Sequence, residues 1–181
     1  DEGNVSRAFV QNDTPKTIDI VFVTADKGLC GGFNMATIKT VSRLIAEYEA
    51  KGTKVRLRAA GRKGVDFFSF QGITLEQRVS DLSSAPDYDR AADFINNVVE
   101  DFKNEVTDKV IVVYNGFLNM LTQEIRVRDL LPISLDVVEA KNTDSMLEIE
   151  PDDEQEVLNE LTDKYIDFNM YYALIDSLAA E

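Results

Sequence analysis

The sequence predicts an α/β fold: a mostly parallel sheet with an antiparallel edge, followed by a C-terminal helix that starts a coiled coil. Three observations carry this. Short β-branched apolar runs alternate with segments of helical apolar spacing, the order of an open sheet joined by crossover helices. The runs Lys109–Tyr114 and Gln123–Val127 stand too close for a crossover helix, so they pair antiparallel. After Pro151, apolar residues recur at alternating steps of three and four.

Residues 1–16 are polar and mixed and read as a lead-in rather than a domain. Ile18–Thr24 is almost continuously apolar and β-branched, which suits a central strand covered on both faces. A helix is expected from Phe33 or Asn34 to Lys51. Its stripe is Ile38, Val41, Leu44, Ile45 and Tyr48, and Gly52 ends it. Lys54–Ala59 alternates and predicts a second strand, which places Arg56 and Arg58 on one face. Gly61-Arg62-Lys63-Gly64 turns the chain into a short helix through Val65, Phe67 and Phe68.

Ile73–Val79 is the expected third strand, and Ser80–Asp89 is a loop around Pro86. A helix then runs from Tyr88 or Asp89 to about Val106, with Ala92, Ile95, Val98, Val99 and Phe102 inward. Lys109–Tyr114 is the strongest strand in the chain, and Asn115-Gly116 reads as the turn before Gln123–Val127. Asp136–Asp144 is irregular and acidic, and Met146–Glu150 is a candidate edge strand.

Asp153 and Glu156 are spaced as a capping box. Leu158, Leu161, Tyr165, Phe168, Tyr172, Ile175 and Ala179 then form the heptad stripe. No Gly, Asn or Pro closes this helix before Glu181, so the natural protein is expected to continue. The expected organisation is a globular domain over 1–151 and the start of a truncated helix over 152–181.

The length of 181 residues fits one domain with a proper core. Hydrophobic content is 44%, and no apolar run is long enough to predict a membrane span or a signal peptide. The first residue is Asp, which predicts a processed or excised chain. A single cysteine forms no internal disulfide, so no oxidising compartment is needed. Net charge is -14, but residues 1–64 carry +4 and residues 65–181 carry -18. The mean field repels nucleic acid and anionic lipid. The contrast between the halves allows two readings, protein partners of defined charge or a solvated acidic face.

Asp26-Lys27-Gly28-Leu29-Cys30-Gly31-Gly32-Phe33-Asn34 lies where an α/β protein keeps its ligand loop. The surrounding chemistry does not match a nucleotide site. A P-loop needs Gly-Lys followed by Ser or Thr, whereas Lys27 precedes the first glycine. A dinucleotide fingerprint needs GxGxxG and an acid ending the second strand, where Ala59-Ala60-Gly61 stands. The glycines are expected to serve positive φ and close strand–helix approach, and helix-start N–H groups to meet an anionic partner side chain. Cys30 has no histidine in the chain to act as its base, so it reads as a small apolar turn residue. One cysteine and no histidine exclude a zinc site, and Asp152-Asp153-Glu154 lacks EF-hand spacing. Arg56, Arg58, Arg62 and Lys63 read as a solvated face at a sheet edge, or as a contact for an acidic partner.

Taken in order, these segments resemble the gamma subunit of rotary F-type ATP synthases. Val23-Thr24-Ala25-Asp26-Lys27-Gly28-Leu29-Cys30-Gly31-Gly32-Phe33-Asn34 is similar to that family's signature loop, where Arg usually stands at Lys27. Gly61–Phe68, Val113–Phe117 with Gln123, Leu130-Leu131-Pro132, Glu150-Pro151 and the closing Tyr165-centred helix resemble further family blocks. The resemblance implies a Rossmann-like domain of the central stalk, set between two long coiled-coil helices that are largely absent from this chain. It implies a rotor that couples proton flow to ATP synthesis or hydrolysis and is not itself catalytic, with no cofactor. The implied partners are the alpha and beta subunits, the epsilon subunit and the membrane c-ring, with no nucleic acid and no membrane insertion. The implied location is the cytoplasmic face of a bacterial inner membrane. Lys27, Gly28, Cys30, Gly31, Gly32 and Asn34 are the partner-contact candidates. A different class of function also fits a loop at 26–34: a flavodoxin-like enzyme or small-molecule binder.

Overall fold

The computed structural model describes residues 12–26, 31–81, 88–117 and 123–132. Their elements are β1 (Thr17–Val23), α1 (Gly31–Ala50), β2 (Lys54–Ala60), α2 (Arg62–Phe70), β3 (Leu75–Val79), α3 (Tyr88–Lys103), β4 (Lys109–Phe117) and β5 (Gln123–Leu131). One five-stranded sheet has the order β3-β2-β1-β4-β5. Strands β1 to β4 are parallel, and β5 pairs antiparallel with β4. The expected α/β architecture with one antiparallel edge is therefore the one observed. The acidic segment 136–144, the candidate strand 146–150 and the heptad helix lie outside the described residues.

The continuous apolarity of β1 follows from its place at the centre. Alternation along the strand sends Ile18, Ile20 and Phe22 to one face, where they pack with Ile38, Val41, Leu44 and Phe68 of α1 and α2. Val21 and Val23 point to the other face, against Phe94, Ile95, Val98, Val99 and Phe102 of α3. Two apolar layers thus sandwich one sheet, and each helix needs only one apolar stripe. On α3 the inward set includes Ala91 and Phe94, while Ala92 is half-buried and the helix stops at Lys103 rather than near Val106.

Helix α1 closes as the sequence predicts. Gly52 has φ +83°, its N–H donates to the Glu49 carbonyl, and the Thr53 N–H donates to the Tyr48 carbonyl. These two bonds satisfy carbonyls that a helix end leaves unpaired. The amino end differs from expectation, because Gly31 and Gly32 belong to the first helical turn instead of preceding it.

Asn115-Gly116 is not the hairpin turn. Both residues sit in β4, with Asn115 opposite Ile125 and Gly116 opposite Glu124. The glycine leaves room for a side chain from the neighbouring strand. A Cβ at Gly116 would lie 2.5 Å from Arg126 Nε, whose side chain crosses that position.

Candidate functional site

Parallel α/β sheets carry ligands at the carboxyl ends of their strands, where helix N-termini offer free N–H groups. At α2 in this chain those N–H groups are taken by its own residues. The first three N–H groups of α2 all have partners. Arg62 N–H donates to Asp26 Oδ1 at 3.0 Å, Lys63 N–H to the Ala25 carbonyl at 3.1 Å, and Gly64 N–H to Thr24 Oγ1 at 2.9 Å. Thr24 and Asp26 are buried, so water does not compete for these bonds. Gly61 and Gly64 let the helix start lie directly on Thr24 and Phe22.

Of the partner-contact candidates, Lys27, Gly28 and Cys30 lie outside the described residues. Gly31 and Gly32 contribute backbone to the first turn of α1. Asn34 is buried, and its Oδ1 accepts the Ala25 N–H at 2.9 Å. Its side chain therefore holds the exit of β1 against the start of α1. Beside it, Met35 and Ile38 of α1 and Phe67 and Phe70 of α2 floor an open groove of about 710 Å³, with Lys63 and Asp66 also lining it. Phe70 is 94% exposed there and Met35 43%. An exposed phenylalanine in an apolar groove marks a surface suited to a partner.

The arginines of β2 correct the sequence reading. Arg56 and Arg58 do share a face, but β2 lies inside the sheet and α3 covers that face. Arg58 and Asp19 are both fully buried. Arg58 Nε donates to Asp19 Oδ2 at 2.9 Å, and its Nη1 donates to Gln77 Oε1 at 2.6 Å and Asn97 Oδ1 at 2.9 Å. Its Nη2 donates to Asp101 Oδ2. Arg56 Nη2 donates to the same Asp101 oxygen at 2.9 Å and lies 3.4 Å from Glu76 Oε1. Arg56 Nε stands 3.1 Å from Asp19 Oδ1, in ion-pair contact but out of line for a hydrogen bond. Burial pushes the Asp19 carboxyl above its ordinary range, opposed by the charges of Arg58 and then Arg56. The available signal was Asp19 inside an apolar strand, with two arginines spaced by two in the next strand.

These features define a class: an α/β domain of Rossmann-like topology whose α2 amino terminus is sealed from within and whose helical surface carries an open apolar groove. Among the described residues, no helix is long and apolar enough to cross a membrane.

Residues 1–181 match the family described as ATP synthase. The chain is 84% identical to the ATP synthase gamma chain of Aliarcobacter butzleri (strain RM4018), over 100% of this chain and 62% of that protein. It is 62% identical to the ATP synthase gamma chain of Wolinella succinogenes, over 92% of this chain and 56% of the relative. The chain belongs to this family, the ATP synthase gamma chains. It spans about three fifths of the length of the curated relatives it matches. Among solved structures, the central stalk and c-ring assembly of Tetrahymena thermophila mitochondrial ATP synthase contains a similar chain. The TM-score is 0.70 at 23% identity, over 98% of this chain and 76% of that one. At that identity the likeness speaks for the fold.

Proposed function

We propose that this chain is the globular part of the central-stalk, or rotor, subunit of a proton-translocating F-type ATP synthase. In this reading it couples proton flow through the membrane ring to ATP synthesis or hydrolysis in the alpha/beta hexamer and has no catalytic group of its own. The observation that carries the reading is membership of the gamma-chain family along the whole chain. The sealed amino terminus of α2 agrees with it, because a load-bearing domain needs shape and surface rather than a reactive centre. No comparison supports the small-molecule reading of the loop at 26–34.

Residues 152–181 are then the start of the C-terminal shaft helix, with their heptad stripe turned to a coiled-coil partner. The partners are the alpha and beta subunits, the epsilon subunit and the c-ring. The bacterial relatives support a place on the cytoplasmic face of a bacterial inner membrane. Rotation biases each catalytic subunit through contacts that differ between its states. Lys27, Gly28, Cys30, Gly31 and Gly32 form the contact region, anchored from within by buried Asn34, with Lys27 and nearby N–H groups facing an acidic loop of the beta subunit.

The test uses a full-length gamma chain carrying this segment, reassembled with the rest of its complex. Lys27→Glu is expected to weaken assembly or ATP-driven proton pumping. Unchanged assembly with unchanged pumping would overturn the contact. Saturable flavin or nucleotide binding by the globular domain, or turnover by it alone, would overturn the stalk reading.

A further inference from the structure

Helix α3 is attached to the sheet by two kinds of contact. Towards β1 and β4 it is apolar: Ile95, Val98, Val99 and Phe102 rest on Val21, Val110 and Val112. Towards β2 and β3 the apolar contact is limited to Ala60 and Val79, and the rest is ionic and hydrogen-bonded: Asn97 and Asp101 meet Arg58, Asp101 also meets Arg56, and Gln77 Nε2 donates to the Phe94 carbonyl at 3.3 Å. These halves respond differently to sliding. Apolar contact is non-directional and survives small displacements. A one-residue slide moves a helix by about 1.5 Å. That distance stretches a hydrogen bond of 2.9 Å, such as Arg58 Nη1 to Asn97 Oδ1, beyond its range.

The network does not fit a ligand site. Arg58 has no exposed surface, and its bonds run to four acceptors inside the chain. Net stability does not explain it either, since apolar residues of similar volume commonly replace buried ion pairs without loss. What apolar packing cannot supply is direction. We propose that Asp19, Arg56, Arg58 and Asp101 form a lock that fixes the axial register of α3 on the sheet. The lock keeps the domain from shearing under load, a use that rests on the stalk reading above. Arg58 is its centre, because one planar fork ties β1, β3 and two turns of α3 to β2.

The test compares amide hydrogen exchange of α3 with that of β4 in the full-length gamma chain within its complex. Arg58→Lys keeps the charge and removes the fork. Exchange in α3 is expected to rise about tenfold relative to β4. A second variant replaces all four charged residues with Leu or Met. It is expected to keep or raise the urea midpoint while α3 exchanges faster. Unchanged α3 exchange in either folded variant, or an equal rise in α3 and β4, would overturn the lock. Protons pumped per ATP are expected to fall in both variants. A loosened α3 with unchanged pumping would overturn the mechanical use and leave the lock standing. The stalk reading fails separately, if unaltered gamma chain does not restore pumping.

Discussion

The Thr24 carbonyl oxygen fills the space that a side chain at Gly61 would need: a Cβ built there lies 1.9 Å from it. Gly61 also has φ +109°, outside the range of ordinary residues. Gly61→Ala combines a backbone clash with strain and is expected to destabilise the domain by about 3 kcal/mol or more. Gly52, at φ +83° with open space around it, supplies the control. Gly52→Ala is expected to lose about 1 kcal/mol. Urea unfolding midpoints of the two variants measure the difference, and equal losses would contradict the clash.

Thr24 has a second task. Its hydroxyl accepts the Gly64 N–H at 2.9 Å, while the Gly61 carbonyl lies 3.4 Å away. Thr24→Val keeps the shape and leaves that N–H without its partner. The expected loss is about 1–2 kcal/mol, and Thr24→Ser should recover part of it. The same unfolding curves check both.

Asp19 titrates against the usual direction for an ion-paired acid. Burial raises its folded pKa above 3.8, against the pull of Arg58 and Arg56. The folded state therefore holds this proton more tightly than the unfolded chain does. Its contribution to stability is fully present below the unfolded pKa and is lost as pH rises through the folded pKa. An NMR titration of the Asp19 carboxyl is expected to give a midpoint above 3.8. The stability advantage of the native chain over Asp19→Asn should shrink as pH climbs through that window. A midpoint below 3.8 would show that the two arginines outweigh desolvation.

Phe70 separates surface from core. It is 94% exposed, whereas Phe68, two residues earlier, is fully buried and meets Phe22 edge-on at 5.3 Å. Phe70→Asp is expected to leave the unfolding midpoint within about 0.5 kcal/mol of native. Phe68→Ala should lose about 3–5 kcal/mol. A large loss at Phe70 would mean that it packs within the domain instead of offering itself to a neighbour.

Residues with one task were legible in the sequence. The apolar β1, the α1 stripe and the terminating Gly52 follow from periodicity and helix-end geometry, and all stand where expected. Residues whose meaning depends on a distant element were not. Arg56 and Arg58 look solvated until β3 and α3 are laid beside and over β2, because alternation gives the shared face but not its cover. Asn115-Gly116 carries a turn signal, yet both residues continue the β4–β5 ladder, and the Arg126 side chain lies over the glycine. The seal on α2 needs Thr24, Ala25 and Asp26 to meet residues 61–64, a contact that local spacing does not encode.

The saturation of the α2 amino terminus has a physiological consequence. Cellular adenylates find no purchase on amides already committed to Thr24, Ala25 and Asp26. In the stalk role proposed above, that helix start would present the same closed surface to its neighbours at every stage of their cycle.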